Sequence, residues 1–196
     1  FWDSTLSPSP LHGVTTIIGG NCGFTIAPLT PDDGDYLMRM LARVEGMPLA
    51  SLQEGVPWNW STFGEYLDAI DGSLMPNAGF LVGHSALRRV VMGERSVGEA
   101  ASDQELQAMK DLLAESIEAG GLGFSSSWAK THNDAEGNAV PSRHASEREL
   151  VELCSVLRDT GAVALEFIPT VERFDESVYQ LLTDMSVAAD RPVNWN

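Results

Sequence analysis

The sequence predicts an α/β fold in which parallel strands are joined by crossover helices. Three observations predict it. Strand-like and helix-like segments alternate along the chain; the strand-like runs are short, apolar and closed by glycine; and the helical segments carry their own start and stop signals.

Val14-Thr15-Thr16-Ile17-Ile18 is a β-branched run closed by Gly19-Gly20, the pattern of a buried strand. Residues 35–44 then place Leu37, Met38, Leu41 and Val44 on one helical face. A shorter helix is predicted over 61–70, after Pro57-Trp58-Asn59-Trp60. Gly79-Phe80-Leu81-Val82 is the next strand; it stops at Gly83-His84, with a helix expected from Ser85. Ser102-Asp103-Gln104-Glu105 is a capping box, in which the Ser and Glu side chains satisfy each other's free N–H groups. The helix it opens carries Leu106, Met109, Leu113 and Ile117 and ends at Gly120-Gly121. Leu122-Gly123-Phe124-Ser125 is a third strand, followed by a polar loop over 128–145. Ser146-Glu147-Arg148-Glu149 reads as a second capping box, opening a helix that stops near Gly161. Residues 162–168 form a fourth strand and 176–188 a helix, and Pro192-Val193-Asn194-Trp195 begins a fifth strand.

Repeated strand-then-helix units leave two architectures, a doubly wound open sheet and a (β/α) barrel. Neither GxGxxG nor a P-loop motif is present, which disfavours a nucleotide-binding open sheet. Five strands do not close an eight-stranded barrel, so a barrel built from this chain is a partial one. With 196 residues and no linker-like stretch, the chain is expected to be a single domain over 1–196.

The hydrophobic fraction of 43% and charged fraction of 20% are ordinary for a globular protein, whereas the formal charge of −16 is not. It argues against nucleic acid and anionic membrane surfaces as partners, both of which need a basic footprint. No apolar run approaches the roughly 18–20 residues of a spanning helix. No signal peptide is read, the opening Phe1-Trp2-Asp3 without Met suggests a trimmed N-terminus, and a cytoplasmic location is expected. Of the two cysteines, Cys154 falls at a helix-core position with Leu150, Leu153 and Leu157 and reads as a small buried hydrophobe.

Sites in parallel α/β folds lie at the C-terminal ends of strands. Gly19-Gly20-Asn21-Cys22-Gly23-Phe24 follows the first strand directly, and a thiolate there suits either a metal ligand or a nucleophile, with inert packing as the alternative. His84 ends the second strand and is a candidate ligand, base or substrate contact, or else a supporting histidine. Ser125-Ser126-Ser127 ends the third, with Ser126 a candidate substrate contact. Lys130, one of two lysines, and Arg143 are candidates for holding a substrate carboxylate, or for pairing with a neighbouring acid. Glu166 lies inside the apolar strand Val163-Ala164-Leu165-Glu166-Phe167-Ile168, where a carboxylate needs a cation, a metal or hydrogen-bond donors. His132 and His144 read as solvated loop residues.

His12-Gly13-Val14-Thr15-Thr16 followed by Gly20-Asn21-Cys22-Gly23-Phe24 resembles the N-acyl-D-amino-acid deacylases of the amidohydrolase superfamily. The resemblance continues in Val82-Gly83-His84-Ser85-Ala86-Leu87-Arg88 and in residues 119–127. It implies an internal segment of an amidohydrolase-type (β/α) barrel, zinc as cofactor, and hydrolysis of the amide of an N-acyl amino acid or a related small molecule. It further implies that Cys22 takes the place of the family's cysteine zinc ligand and that Lys130 lies near the substrate-carboxylate contacts.

The sequence also departs from the family. The family's His-x-His is expected just upstream of Phe1. Its later histidine ligands are expected on strands where this chain has Glu166 on one, and Asn194 and Asn196 on the other. Glu166 is therefore the candidate second metal ligand, and the chain by itself is expected to be inactive. Two other readings stand beside this one: a metal-free hydrolase with Cys22 as nucleophile and His84 as base, and a non-catalytic barrel relic serving binding or assembly. Open strand edges make a homo-oligomer an expectation in any of the three.

Overall fold

The computed structural model describes residue 1 and residues 3–195. Strand β1 (Thr16–Gly19) is followed by helices α1 (Gly34–Val44), α2 (Leu49–Gly55) and α3 (Phe63–Ile70). Strands β2 (Asn77–Phe80) and β3 (Val82–Gly83) then lead straight into α4 (His84–Met92). The rest alternates: α5 (Asp103–Glu118), β4 (Gly123–Ser127), α6 (Glu147–Asp159), β5 (Ala164–Ile168), α7 (Glu176–Ala189) and β6 (Val193–Trp195).

All strand pairs are parallel: β1 with β2, then β3, β4, β5 and β6 in that order. Leu81 joins the two groups, because its N–H donates to Gly19 O at 2.9 Å while Leu122 N–H donates to Phe80 O at 2.8 Å. Residues 77–83 thus act as one strand, and the spatial order of strands equals their order in the chain. A doubly wound sheet must reverse its order somewhere to cover both faces, and among the described residues this one does not. With right-handed crossovers, unreversed order puts every helix on one side, and α4, α5, α6 and α7 do pack each against the next. The chain is an open arc of a (β/α) barrel.

Side-chain alternation then sorts the sheet's two faces. Phe124 and Ser126 on β4, with Leu165 and Phe167 beside them on β5, face the helices; all four are buried. They join Leu87, Met109, Leu113, Leu150, Leu153, Leu157 and Met185 in the core, and Cys154 sits there too, as its helical position predicts. The opposite face, which a closed barrel turns inward, carries Ser125, Glu166 and Asn194 in one register row. Asn196 lies outside the described residues.

Local signals account for most of the helices. Ser102 and Glu105 form the expected capping box, with Ser102 N–H donating to Glu105 Oε2 at 2.8 Å. Thr62 and Glu65 form another at the start of α3. The expected box at Ser146 is only half made. Ser146 Oγ accepts the Glu149 N–H at 3.1 Å, but the Glu149 carboxylate turns away into the core. No helix is long and apolar enough to cross a membrane among the described residues.

Candidate active site

The Gly-Asn-Cys-Gly loop leaves the end of β1 and crosses its neighbours, meeting Gly83 on β3, Ser125 on β4 and Glu166 on β5. Gly20 leaves β1 with φ 84°, and a Cβ there would stand 2.6 Å from Leu81 O, so only glycine fits. Gly83 on β3 is equally tight, with a Cβ 2.7 Å from Gly23 O. Between them Cys22 takes φ 60° and ψ 15°, a left-handed conformation uncommon outside glycine.

Four hydrogen bonds hold the loop down. Gly83 N–H donates to Thr25 Oγ1 at 3.2 Å. Ser125 Oγ accepts Gly23 N–H at 3.0 Å and donates to the carbonyl of Gly20. Cys22 N–H donates to Glu166 Oε2 at 2.8 Å. Glu166 is 2% exposed, and its other oxygen, Oε1, is buried with no hydrogen-bond partner among the described residues. Burial pushes the Glu166 carboxyl up to about 7, against the opposing pull of the Cys22 N–H. Burial and then the charge of Glu166 push the half-buried Cys22 thiol up to about 12. Without a cation nearby, Cys22 is a thiol and no nucleophile. A bound cation reverses the preference of both groups.

His84 belongs to a different assembly, directly behind the loop. It is fully buried, with Nδ1 2.8 Å from Ser126 Oγ and Nε2 2.8 Å from Glu149 Oε1. Arg88 Nη1 reaches both Glu149 oxygens, at 2.6 and 2.7 Å. Burial lowers the His84 pKa and outweighs the attraction of Glu149, so the ring is neutral. An ionised carboxylate only accepts, so Nε2 carries the hydrogen and Nδ1 accepts from the Ser126 hydroxyl. Burial raises the Glu149 pKa, but the hydrogen bond from His84 and the charge and hydrogen bonds of Arg88 hold it below its ordinary value.

Serine, histidine and carboxylate in line look like a hydrolytic triad, but Ser126, His84 and Glu149 are all sealed from solvent. The expectations that His84 lines a pocket and that Ser126 contacts substrate are corrected on that ground. So is the pairing of Cys22 with His84 as base, since both ring nitrogens are spent on Ser126 and Glu149.

The two cationic candidates stand elsewhere. Lys130 is 73% exposed and 3.3 Å from Glu172, itself largely exposed. Arg143 is used inside its own loop, where Nη1 donates to His132 O at 3.0 Å and to Asn133 Oδ1 at 2.8 Å. His132, read as solvated, is half-buried, held at Nδ1 by Ser127 Oγ and edge-on to Phe24 at 5.0 Å. Ser125 and Glu149 were not anticipated as contributors.

Among the described residues no three His, Cys, Asp or Glu side chains group closely enough to hold a metal. Cys22 and Glu166 supply two donors of suitable chemistry, a thiol and a carboxylate with a free buried oxygen. Zinc sites commonly use three or four protein ligands, so these two fit as part of a set.

No family model matches the chain. An uncharacterized protein of Mycobacterium tuberculosis is 38% identical over 182 residues, covering 87% of this chain and 29% of that protein. D-Aminoacylase of Alcaligenes xylosoxydans xylosoxydans is 32% identical over 159 residues, covering 81% of this chain and 28% of the enzyme. A crystal structure of D-aminoacylase described as defining a novel subset of amidohydrolases superimposes with a TM-score of 0.63 at 29% identity, over 93% of this chain and 34% of the other. A second D-aminoacylase structure, from work on its binuclear metal center, gives a TM-score of 0.62 at 30% identity, over 92% and 34%. The chain spans under a third of the length of the curated relatives it matches and about a third of the D-aminoacylase structures, and over that span it is similar to D-aminoacylase in sequence and in fold.

Proposed function

We propose that this segment is part of a metal-dependent amidohydrolase that hydrolyses the amide C–N bond of an N-acyl amino acid or a related small amide. The observation that carries the reading is the Cys22–Glu166 contact on the barrel's inner face, with one buried carboxylate oxygen left free among the described residues. In this reading Cys22 Sγ and Glu166 Oε1 are two ligands of a zinc ion, and the remaining ligands and the catalytic base come from outside these 196 residues. When bound, the metal polarises the scissile carbonyl and lowers the pKa of the attacking water. The chain's own part is to hold the thiolate and carboxylate at a fixed separation and to keep that corner of the barrel dry.

Lys130 is the residue we propose for the substrate carboxylate. Its exposed pairing with Glu172 contributes little stability and exchanges readily for another carboxylate. Arg143 instead would brace the loop that carries Lys130 and His132.

The test is release of free amine from N-acetylated amino acids of both hands by the purified full-length protein to which this segment belongs. Activity that a chelator abolishes and zinc restores supports the proposal. Turnover that survives chelation would overturn it. No turnover, together with no stoichiometric metal, would leave the barrel as a binding or assembly module.

A further inference from the structure

Three consecutive serines end β4, and each has a different partner. Ser126 bonds His84 and Ser127 bonds His132. Ser125 bonds only the loop that carries Cys22. Its hydroxyl donates to the carbonyl of Gly20 and accepts the N–H of Gly23, so one atom bridges the two glycines that flank Asn21-Cys22. Ser125 is fully buried, and its Cα neighbour across the sheet is Glu166, the acceptor of the Cys22 N–H. A non-glycine residue at φ 60° persists only where its surroundings over-determine it. Here the determinants are adjacent residues in one strand row, Ser125 clasping the ends of the turn and Glu166 its middle.

We propose that Ser125 is a positioning residue that fixes the direction of the Cys22 thiol, so that thiol and Glu166 carboxylate meet one ligand. The metal part of this inference rests on the reading of Cys22 as a ligand; the positioning part does not. Loss of the Ser125 hydroxyl frees Gly20 O and Gly23 N–H together, and the turn relaxes away from φ 60°.

Two readouts test it in the full protein. In the metal-free protein, iodoacetamide labelling of Cys22, located by peptide mass, is expected to speed up about tenfold or more in Ser125→Ala. It should stay near the wild-type rate in Ser126→Ala, which deletes an equally buried hydroxyl that does not touch the loop. With cobalt(II) in place of zinc, the thiolate-to-metal absorption band is expected to weaken in Ser125→Ala, with affinity lowered about tenfold or more. Ser125→Thr, which keeps the hydroxyl, should restore both. Ser125→Gly gives the same readings if Ser125→Ala does not fold. Absence of the cobalt band in the wild type would sink the metal reading alone and leave labelling to decide the role of Ser125. Unchanged labelling in Ser125→Ala would overturn the inference.

Discussion

The main-chain N–H of Cys22 donates to Glu166 Oε2 at 2.8 Å, joining residues 144 positions apart in the chain. The contact brings the turn that follows β1 against the middle of β5, across β3 and β4. It depends on the glycines that let the intervening loop lie flat on the strand ends. It also leaves Oε1 of the same carboxylate buried and unpaired among the described residues, a costly arrangement unless something positive is to be met there.

Glu166→Gln separates the two jobs of that side chain. The amide oxygen still accepts the Cys22 N–H, so loop geometry is kept, while the negative charge offered to a cation is lost. Metal affinity is expected to fall by at least about tenfold with the fold intact. Competition with a chromophoric chelator, beside a circular dichroism spectrum, measures both.

Gly20→Ala tests the tight approach of loop to sheet. The new methyl meets Leu81 O at 2.6 Å and sits on a backbone with φ 84°. The expected loss of stability is about 1–3 kcal/mol, read from urea unfolding. A neutral outcome would mean the loop is free to lift from the strand ends.

Glu149→Leu tests the buried assembly behind the site. It leaves the fully buried Arg88 guanidinium without its carboxylate and the His84 Nε2–H without an acceptor. Breaking a buried ion pair from one side costs about 3–5 kcal/mol, and denaturant unfolding should show a loss of that size. Replacement of His84 by Gln should cost less, because the Arg88–Glu149 pair survives it.

The capping box at α5 sets a pH dependence. Glu105 is held down at about 2 by the N–H and then the hydroxyl of Ser102, with Arg95 adding to them, against an ordinary value of 4.5. A depressed carboxyl stabilises the fold above its unfolded value and loses that contribution as pH falls through its folded one. The stability difference between the protein and Glu105→Gln should therefore be constant above 4.5 and shrink from there toward about 2. Unfolding midpoints across that range measure it, and a pH-independent difference would refute the assignment.

Strands, helices and their order were legible because local signals set them: β-branched runs, the glycine stops and the Ser102 box all reappear in the structure. Helix α2 was not, since seven residues behind Pro48 carry too little periodicity to mark it. The site was legible where an odd residue stood in a plain setting, a cysteine between glycines or a carboxylate in an apolar strand. It was illegible where two uses of one residue looked alike. Glu149 matches a capping-box glutamate three residues after a serine, yet its carboxylate serves His84 and Arg88, 65 and 61 positions away. Within Ser125-Ser126-Ser127, Ser126 reads as a substrate contact; its hydroxyl meets His84, and it is Ser125 that holds the Cys22 loop, a pairing set by tertiary packing rather than by any local signal.

Zinc content per chain, in the purified full-length protein and in its Cys22→Ser variant, tests the central claim most directly. About one zinc per chain is expected in the full-length protein, lost or much weakened in the variant. Zinc retained unchanged in Cys22→Ser, or absent from both proteins, would contradict it.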